Sequence, residues 1–127
     1  MTEKLRILYV EDEADIREIA AFALEDEGFE VLFCASGEEA LGAVVDFGPD
    51  LMLLDVMMPG LDGPMTLQRL RQLPGQGNTT VAFLTAKVQP NEVSEFLALG
   101  AKAVIAKPFD PMTLPDQIRN LMVQHNG

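Results

Sequence analysis

The sequence has little positive charge, and this scarcity argues against one large class of function. It contains 9 lysine and arginine residues against 20 aspartate and glutamate residues, which gives a formal net charge of -11. Binding to a nucleic-acid backbone requires basic side chains that neutralise its phosphates. We therefore expect no direct binding of the chain to nucleic acid.

Cysteine, histidine and long apolar runs are also scarce. Cys34 is the only cysteine, so the chain forms no intramolecular disulfide and suits a reducing compartment. His125 is the only histidine, which argues against a metal cluster or an acyl-transfer dyad built around it. No apolar run approaches the roughly 18 residues of a membrane span, and charges interrupt the N-terminal segment too early for a signal peptide. These absences predict a cytoplasmic protein with no membrane partner.

The remaining composition is that of one folded domain. Hydrophobic residues make up 48% of the chain and charged residues 23%, so the acidity is not accompanied by the low hydrophobicity that is typical of disorder. A length of 127 residues matches one compact domain rather than two. We expect residues 1–127 to form a single domain.

Five short apolar runs recur along the chain, and each is too short for a helix. Most of them are continuous rather than alternating, as is typical of strands covered by helices on both faces. They predict a parallel sheet. The runs are Leu5 to Val10, Val31 to Cys34, Leu51 to Leu54, Val81 to Leu84 and Ala103 to Ile105.

Helical patterns separate these runs, so strand and helix alternate in the manner of an α/β fold wound on both faces of its sheet. Apolar spacing and capping residues locate the helices. The first helix is indicated by an inward apolar stripe, Ile16, Ile19, Ala20, Ala23 and Leu24, and Gly28 is predicted to stop it. The second helix is indicated by the capping pair Ser36 and Glu39, by inward Leu41, Val44 and Val45, and by Gly48 at its end. The third helix is indicated by Pro64 at its start and by inward Leu67, Leu70 and Leu73. The fourth is indicated by the cap Asn91 and by inward Val93, Phe96 and Leu97. The fifth is predicted over residues 110–123, where Pro115 delays the regular helix to near Leu114.

Polar residues follow these runs at the carboxyl ends of the predicted strands, where sheets of this kind bind ligands. They are Glu11, Asp12, Asp55, Thr85 and Lys107. Converging carboxylates repel one another unless a cation compensates for their charge, and a few oxygen ligands suit Mg²⁺ best. Glu11 and Asp12 also fit a purely structural role near the positive end of a helix dipole, and Asp55 with Lys107 fits a structural ion pair.

Five separated motifs resemble the receiver domain of two-component response regulators, in the correct order over essentially the whole chain. They are Val10-Glu11-Asp12, Leu54-Asp55-Val56-Met57-Met58-Pro59, Asp62-Gly63, Thr85-Ala86 and Lys107-Pro108-Phe109. The resemblance implies a flavodoxin-like, doubly wound, five-stranded parallel sheet of order 2-1-3-4-5 with five helices. It also implies a phosphorylation-dependent signalling switch rather than a classical enzyme.

The same resemblance assigns a role to each motif. Asp55 would accept a phosphoryl group from a sensor histidine kinase or a histidine phosphotransfer protein, and the switch would then act on a downstream protein target that the sequence does not identify. Mg²⁺ would be held by Glu11, Asp12, Asp55 and the backbone carbonyl of Met57. Lys107 would contact the phosphoryl group ahead of a cis peptide bond to Pro108, and Thr85 would move toward the phosphate.

One position departs from the family pattern. Many members carry an aromatic residue three positions before the lysine that corresponds to Lys107, and its movement is coupled to that of the switch hydroxyl. Here the position holds Val104. Because valine has no large ring to swing between buried and exposed positions, we expect a smaller response at the surface around the fourth helix and the fifth strand.

Other functions remain open on the sequence alone. A magnesium-dependent phosphohydrolase with Asp55 as nucleophile usually needs a second acid nearby, whereas Val56 and Met57 follow here. A flavin-binding module and a non-phosphorylated docking module are further alternatives. Phosphate-loop motifs are absent, so we interpret the glycines Gly60, Gly63, Gly75 and Gly77 as turn residues.

Overall fold

The computed structural model describes residues 4–125, with side chains as far as Val123. Five strands alternate with five helices along the chain. The order is β1 (Leu5–Val10), α1 (Ala14–Leu24), β2 (Phe29–Cys34), α2 (Gly37–Phe47), β3 (Leu51–Asp55), α3 (Gly63–Leu70), β4 (Thr80–Thr85), α4 (Pro90–Ala98), β5 (Ala103–Ala106) and α5 (Leu114–His125).

The strands form one parallel sheet in the order β2-β1-β3-β4-β5, which confirms the predicted fold and strand order. Side chains alternate between the two faces of the sheet along each strand, so they belong to two separate apolar cores. Leu8 and Val10 of β1 pack with α2 and α3 on one face, whereas Ile7 and Tyr9 pack with α1 and α5 on the other. Both faces are covered, and β3 and β4 are accordingly buried along their whole length.

Several helix ends follow the predicted capping residues. The Ser36 side chain accepts a 3.0 Å hydrogen bond from the Glu39 N–H at the start of α2, and Gly48 ends that helix with a left-handed φ of 64°. The fifth helix begins at Leu114, so Pro115 lies in its first turn, where a missing N–H costs no helical hydrogen bond.

Two predicted helix boundaries are wrong. Asn91 does not cap the fourth helix, because Pro90 already occupies its first turn and Gln89 stands at the cap, where its N–H donates to the Glu92 carboxylate at 3.3 Å. The first helix ends at Leu24 rather than at Gly28, whose φ of 87° belongs to the turn that leads into β2. Gly63 is likewise the first residue of α3 and not a turn residue.

Three side chains predicted to face inward are largely exposed. Ile19 is 47% exposed, Val45 51% and Leu97 43%. Apolar spacing along the chain assigns these three positions to the buried side of their helices, whereas the packing of each helix on the sheet leaves them exposed.

The lone thiol behaves as a small apolar side chain. Cys34 ends β2 and is buried. Burial, and then the negative charge of Glu39, raise the pKa of this thiol to about 11, so it stays protonated and unreactive at neutral pH.

The Ser36 cap predicts a measurable contribution to stability. Ser36→Ala removes the acceptor for the Glu39 N–H, and we expect the free energy of unfolding to fall by about 1 kcal/mol in urea denaturation. Ser94→Ala, on the exposed face of α4, is the matched control and should stay within about 0.5 kcal/mol of the wild type. An equal loss in both variants would contradict a specific capping role for Ser36.

The fold brings the carboxyl ends of β1, β3, β4 and β5 to one edge of the sheet. Within residues 4–125, no helix has the length and apolar character that crossing a membrane requires.

Candidate functional site

The acidic residues of the predicted site meet at this edge. Glu11 and Asp12 follow β1, and Asp55 is the last residue of β3. One carboxylate oxygen from each residue lies within 4.8 Å of the other two. Glu11 and Asp55 are almost fully buried, at 1% and 3% exposure, so their charges are poorly solvated.

Lys107 supplies the cation that faces this cluster. Its Nζ donates to Glu11 Oε1 at 2.9 Å and lies 3.2 Å from Asp55 Oδ1. No other ammonium or guanidinium group among the described residues forms an ion pair with these carboxylates. Three carboxylates therefore share one ammonium, and the site retains excess negative charge.

The backbone around Glu11 fixes the orientation of its carboxylate. The Glu11 N–H donates to the Cys34 carbonyl at 3.0 Å, and Arg17 donates to the Glu11 carbonyl at 2.7 Å. The second carboxylate oxygen, Oε2, accepts the N–H of Glu13 at 3.2 Å. Glu11 thus presents a buried carboxylate whose two oxygens are both engaged.

The pKa values of the two buried acids, Glu11 and Asp55, shift in opposite directions. Burial raises the pKa of Glu11, but hydrogen bonds with Lys107, Asp55 and the Glu13 N–H outweigh it, so this pKa lies below its ordinary value. Burial also raises the pKa of Asp55, and the hydrogen bond and charge of Glu11 add to the rise, which brings this pKa to about 7 despite Lys107. At neutral pH the Asp55 carboxyl is thus poised between its two protonation states.

Thr85 and Lys107 lie on neighbouring strand ends beside Asp55. The Thr85 hydroxyl is buried and accepts the Lys87 N–H at 3.0 Å. The Thr85 carbonyl accepts the Lys107 N–H at 2.9 Å, which joins the ends of β4 and β5. The peptide bond from Lys107 to Pro108 is cis, the isomer that the resemblance implies.

The remaining predicted positions lie around this centre. Met57, two residues beyond Asp55, has a side chain that is 66% exposed. Val104 is half-buried on β5 and pairs in register with Phe83.

Sequence reasoning assigned no site role to Tyr9, and it interpreted Gly63 only as a turn residue although Asp62-Gly63 is one of the five motifs. Tyr9 lies on β1 two residues before Glu11, and a period of two along the strand places both side chains on the same face, so the signal was available. Gly63 passes close to the Asp55 backbone, and nothing in the local sequence indicates that contact.

The donor set fits a hard divalent cation. Carboxylate oxygens are the ligands that Mg²⁺ prefers, and the excess of carboxylates over ammonium groups leaves negative charge for a cation to neutralise. A buried acid whose pKa has risen to about 7 is what uncompensated carboxylates produce.

Comparisons of the sequence with known proteins all indicate the same family. The response regulator receiver domain model matches residues 7–119. The DNA-binding response regulator MtrA of Mycobacterium tuberculosis is 37% identical over 118 residues, which cover 93% of this chain and 50% of that protein. The phosphate regulon transcriptional regulatory protein PhoB of Pseudomonas aeruginosa is 38% identical over 116 residues, which cover 91% and 51%. The chain thus spans about half the length of these curated relatives.

Solved structures agree with the sequence comparison. The chemotaxis response regulator CheY4 of Vibrio cholerae superposes with a TM-score of 0.86 at 30% identity, covering 93% of this chain and 98% of that one. A putative response regulator from Chloroflexus aurantiacus gives a TM-score of 0.84 at 32% identity, covering 94% and 98%. With an acidic cluster at the edge of a sheet of order 2-1-3-4-5, the chain belongs to the response regulator receiver domain family, whose members are signalling switches of two-component systems.

Proposed function

We propose that this chain is a phosphorylation-dependent switch that accepts a phosphoryl group on Asp55 from a phosphohistidine of a sensor histidine kinase or a histidine phosphotransfer protein. One observation carries the proposal. Asp55 is a buried carboxylate at a strand end, 3.2 Å from the Lys107 ammonium and within 4.8 Å of the oxygens of Glu11 and Asp12.

The transfer that we propose is a nucleophilic displacement at phosphorus. A carboxylate oxygen of Asp55 attacks the phosphorus, the P–N bond to the imidazole breaks, and the imidazole nitrogen retains the electron pair and takes up a proton. Lys107 is placed to neutralise charge on the phosphoryl oxygens. Burial lowers its pKa, but the interactions with Glu11 and Asp55 outweigh burial and raise it, so the ammonium stays charged.

Magnesium belongs to the same proposal. Glu11, Asp12, Asp55 and the backbone carbonyl of Met57 would hold the ion, and the carboxylates of the first three already lie together. When bound, Mg²⁺ neutralises carboxylate charge and polarises the phosphoryl oxygens. A cation at this position would also favour ionised Asp55, so the attacking carboxylate would be unprotonated at neutral pH.

Phosphorylation then shifts a conformational equilibrium. A phosphoryl group adds about 1.5 to 2 negative charges and new acceptor oxygens beside the strand ends. The Thr85 hydroxyl, which accepts the Lys87 N–H in this structure, becomes a donor to a phosphoryl oxygen when it moves toward Asp55. The phosphate thus stabilises the conformation in which Thr85 and Lys107 both reach it.

The valine at position 104 leads us to expect small conformational changes on phosphorylation at the surface formed by α4 and β5. With a phosphoryl mimic bound, we expect smaller changes in backbone amide NMR shifts across this surface in the wild type than in a Val104→Tyr variant. The reason is that a half-buried valine repacks locally, whereas tyrosine carries a large ring of the kind that moves with the switch hydroxyl in many family members. Shift changes of equal size in the two proteins would contradict this prediction.

The proposed output is contact with a downstream protein, through the single domain formed by residues 1–127. The relatives include DNA-binding response regulators, but this chain has a net charge of -11, which does not favour its own contact with nucleic acid. We place the switch in the cytoplasm as part of the same proposal.

Intact mass spectrometry tests the phosphoacceptor. The protein is incubated with a small phosphodonor and Mg²⁺, beside Asp55→Asn and a sample with chelator. We expect a gain of one phosphoryl group in the wild type and no gain in either control. If the wild type stays unmodified both with the small donor and with a phosphorylated histidine phosphotransfer protein, the proposal of a phosphoryl-accepting switch is wrong and a docking module is favoured.

A further inference from the structure

The Tyr9 hydroxyl is the one buried side-chain nitrogen or oxygen without a hydrogen-bond partner in the part of the chain that the structure describes. Tyr9 is fully buried, at 0% exposure, and its hydroxyl oxygen has no hydrogen-bond partner among the residues that the structure describes. Its ring packs against Phe33 with a centroid distance of 5.3 Å, which fixes the phenol in place. Buried polar groups are nearly always paired in folded proteins, so an unpaired hydroxyl calls for an explanation.

Tyr9 lies on the strand that leads into Glu11, next to the strand that ends at Asp55. Side chains two residues apart along a strand share a face, so Tyr9 points to the same side of the sheet as Glu11. In register, Tyr9 pairs with Leu53, which lies two residues before Asp55. Burial and then the negative charges of Glu11 and Asp55 raise the pKa of Tyr9, so the phenol stays protonated and can act as a donor.

Glu11 has acceptor capacity left for this hydroxyl. A carboxylate offers about four lone-pair positions. In Glu11, the Lys107 ammonium and the Glu13 N–H account for one donor on each oxygen, and protonated Asp55 adds one more, so lone-pair capacity remains. Because no direct bond joins the phenol to Glu11, the polar groups suit a bridge by one internal water, which needs two or more polar partners.

We propose that Tyr9 is a positioning residue for the acidic site, whose hydroxyl donates to an internal water that in turn donates to the Glu11 carboxylate. The inference rests on the proposed function, because Glu11 is one of the proposed Mg²⁺ ligands and the water bridge would orient its carboxylate toward the ion. The bridge also matters during the switch. When Lys107 turns from Glu11 toward a phosphoryl group on Asp55, the buried Glu11 carboxylate loses one donor but still accepts a hydrogen bond from the water.

Magnesium affinity provides the test. We expect Tyr9→Phe, which removes one oxygen atom and keeps the ring, to bind Mg²⁺ about tenfold more weakly than the wild type in isothermal titration calorimetry. Tyr9 is the only tyrosine and the chain has no tryptophan, so intrinsic emission reports on this side chain alone. Adding Mg²⁺ to the wild type should therefore change the tyrosine emission.

Phe33→Leu is the matched control, because it loosens the packing against Tyr9 and keeps the hydroxyl. It should unfold at a lower denaturant concentration while binding Mg²⁺ as the wild type does. An equal loss of affinity in Phe33→Leu would show that ring packing, not the hydroxyl, governs the site and would overturn the proposal.

The outcomes separate this inference from the proposed function. If the wild type binds Mg²⁺ and Tyr9→Phe binds it equally well while unfolding at a higher denaturant concentration, the hydroxyl is only an unpaired group and the inference is wrong. If the wild type itself binds no Mg²⁺, the magnesium part of the proposed function fails, and the positioning role fails with it.

Discussion

Asp55→Asn is expected to raise the free energy of unfolding at pH 8 by about 2 to 4 kcal/mol, although it removes the proposed phosphoacceptor. The folded protein raises the pKa of Asp55 from an ordinary value of 3.8 to about 7, chiefly through burial and then through Glu11. Each pKa unit corresponds to about 1.4 kcal/mol of differential stabilisation. Ionised Asp55 therefore opposes folding, and a neutral amide of the same shape does not.

The sign of the pH dependence follows from proton binding. Between about pH 4 and pH 7 the folded protein retains a proton on Asp55 that the unfolded chain has released, so this group makes the wild type less stable as the pH rises. Below pH 4 both states are protonated and the effect of Asp55 disappears. Above pH 7 both are ionised and the full penalty remains. The advantage of Asp55→Asn should therefore grow from pH 5 to pH 8 and then level off.

Urea denaturation at pH 5 and pH 8 measures this difference. Asp46→Asn, an exposed acid on α2, is the matched control and should stay within about 0.5 kcal/mol of the wild type at both pH values. Mg²⁺ should stabilise the wild type at pH 8 more than the variant, because binding to the folded state alone shifts the equilibrium toward it. A gain for Asp55→Asn that is no larger at pH 8 than at pH 5 would contradict the raised pKa.

The sheet and the polar strand ends were predictable from the sequence because both depend on short-range patterns. Continuous apolar runs locate buried strands, and parallel strands bring their carboxyl ends to one edge. Such patterns do not determine which strands are neighbours, so the order 2-1-3-4-5 was predictable only through the family resemblance. The structure places Glu11, Asp12, Asp55 and Lys107 together, whereas their roles in phosphoryl transfer stay predictions.

The parts that the sequence did not predict depend on contacts between distant elements. Val45 falls within an apolar stripe, yet the orientation of α2 against the sheet leaves it half exposed. The raised pKa of Asp55 requires burial and a second carboxylate from another strand. The apolar run before Asp55 and the polar strand ends predict both features, but the size of the pKa shift depends on distances that only the packed strands set. The unpaired hydroxyl of Tyr9 likewise follows from what surrounds β1 in space.

Gly63→Ala is expected to lower the free energy of unfolding by about 2 to 4 kcal/mol. A Cβ atom at Gly63 would lie 2.7 Å from the Asp55 carbonyl oxygen, 2.9 Å from Val56 Cα and 3.2 Å from the Phe83 ring. Two of these three neighbours are backbone atoms, which cannot move aside as the end of a flexible side chain can. Overpacking of this kind usually costs about 1 to 3 kcal/mol and more where the surroundings are rigid.

Gly42→Ala is the matched control, because it makes the same chemical change in a different environment. Gly42 lies within α2, and a Cβ atom there would meet nothing within 4 Å. Alanine restricts the unfolded chain and favours a helix, so this variant should gain about 0.5 to 1 kcal/mol. Urea denaturation of both variants measures the two changes, and equal signs would show that the close approach at Gly63 does not limit stability.

The close approach also connects this stability effect to the site. The Gly63 N–H donates to the Val56 carbonyl at 3.0 Å, so the start of α3 is tied to the backbone directly after the proposed phosphoacceptor. Relief of the Gly63→Ala clash must displace α3 or the end of β3, and because this hydrogen bond joins the two, we expect the shift to reach Asp55 and move it relative to Lys107 and the acidic pair. We therefore expect phosphorylation of folded Gly63→Ala by a small phosphodonor to be slower than that of the wild type, and phosphorylation of Gly42→Ala to be unchanged. A Gly63→Ala protein that is destabilised but phosphorylated at the wild-type rate would show that relaxation occurs within α3 and leaves the site intact.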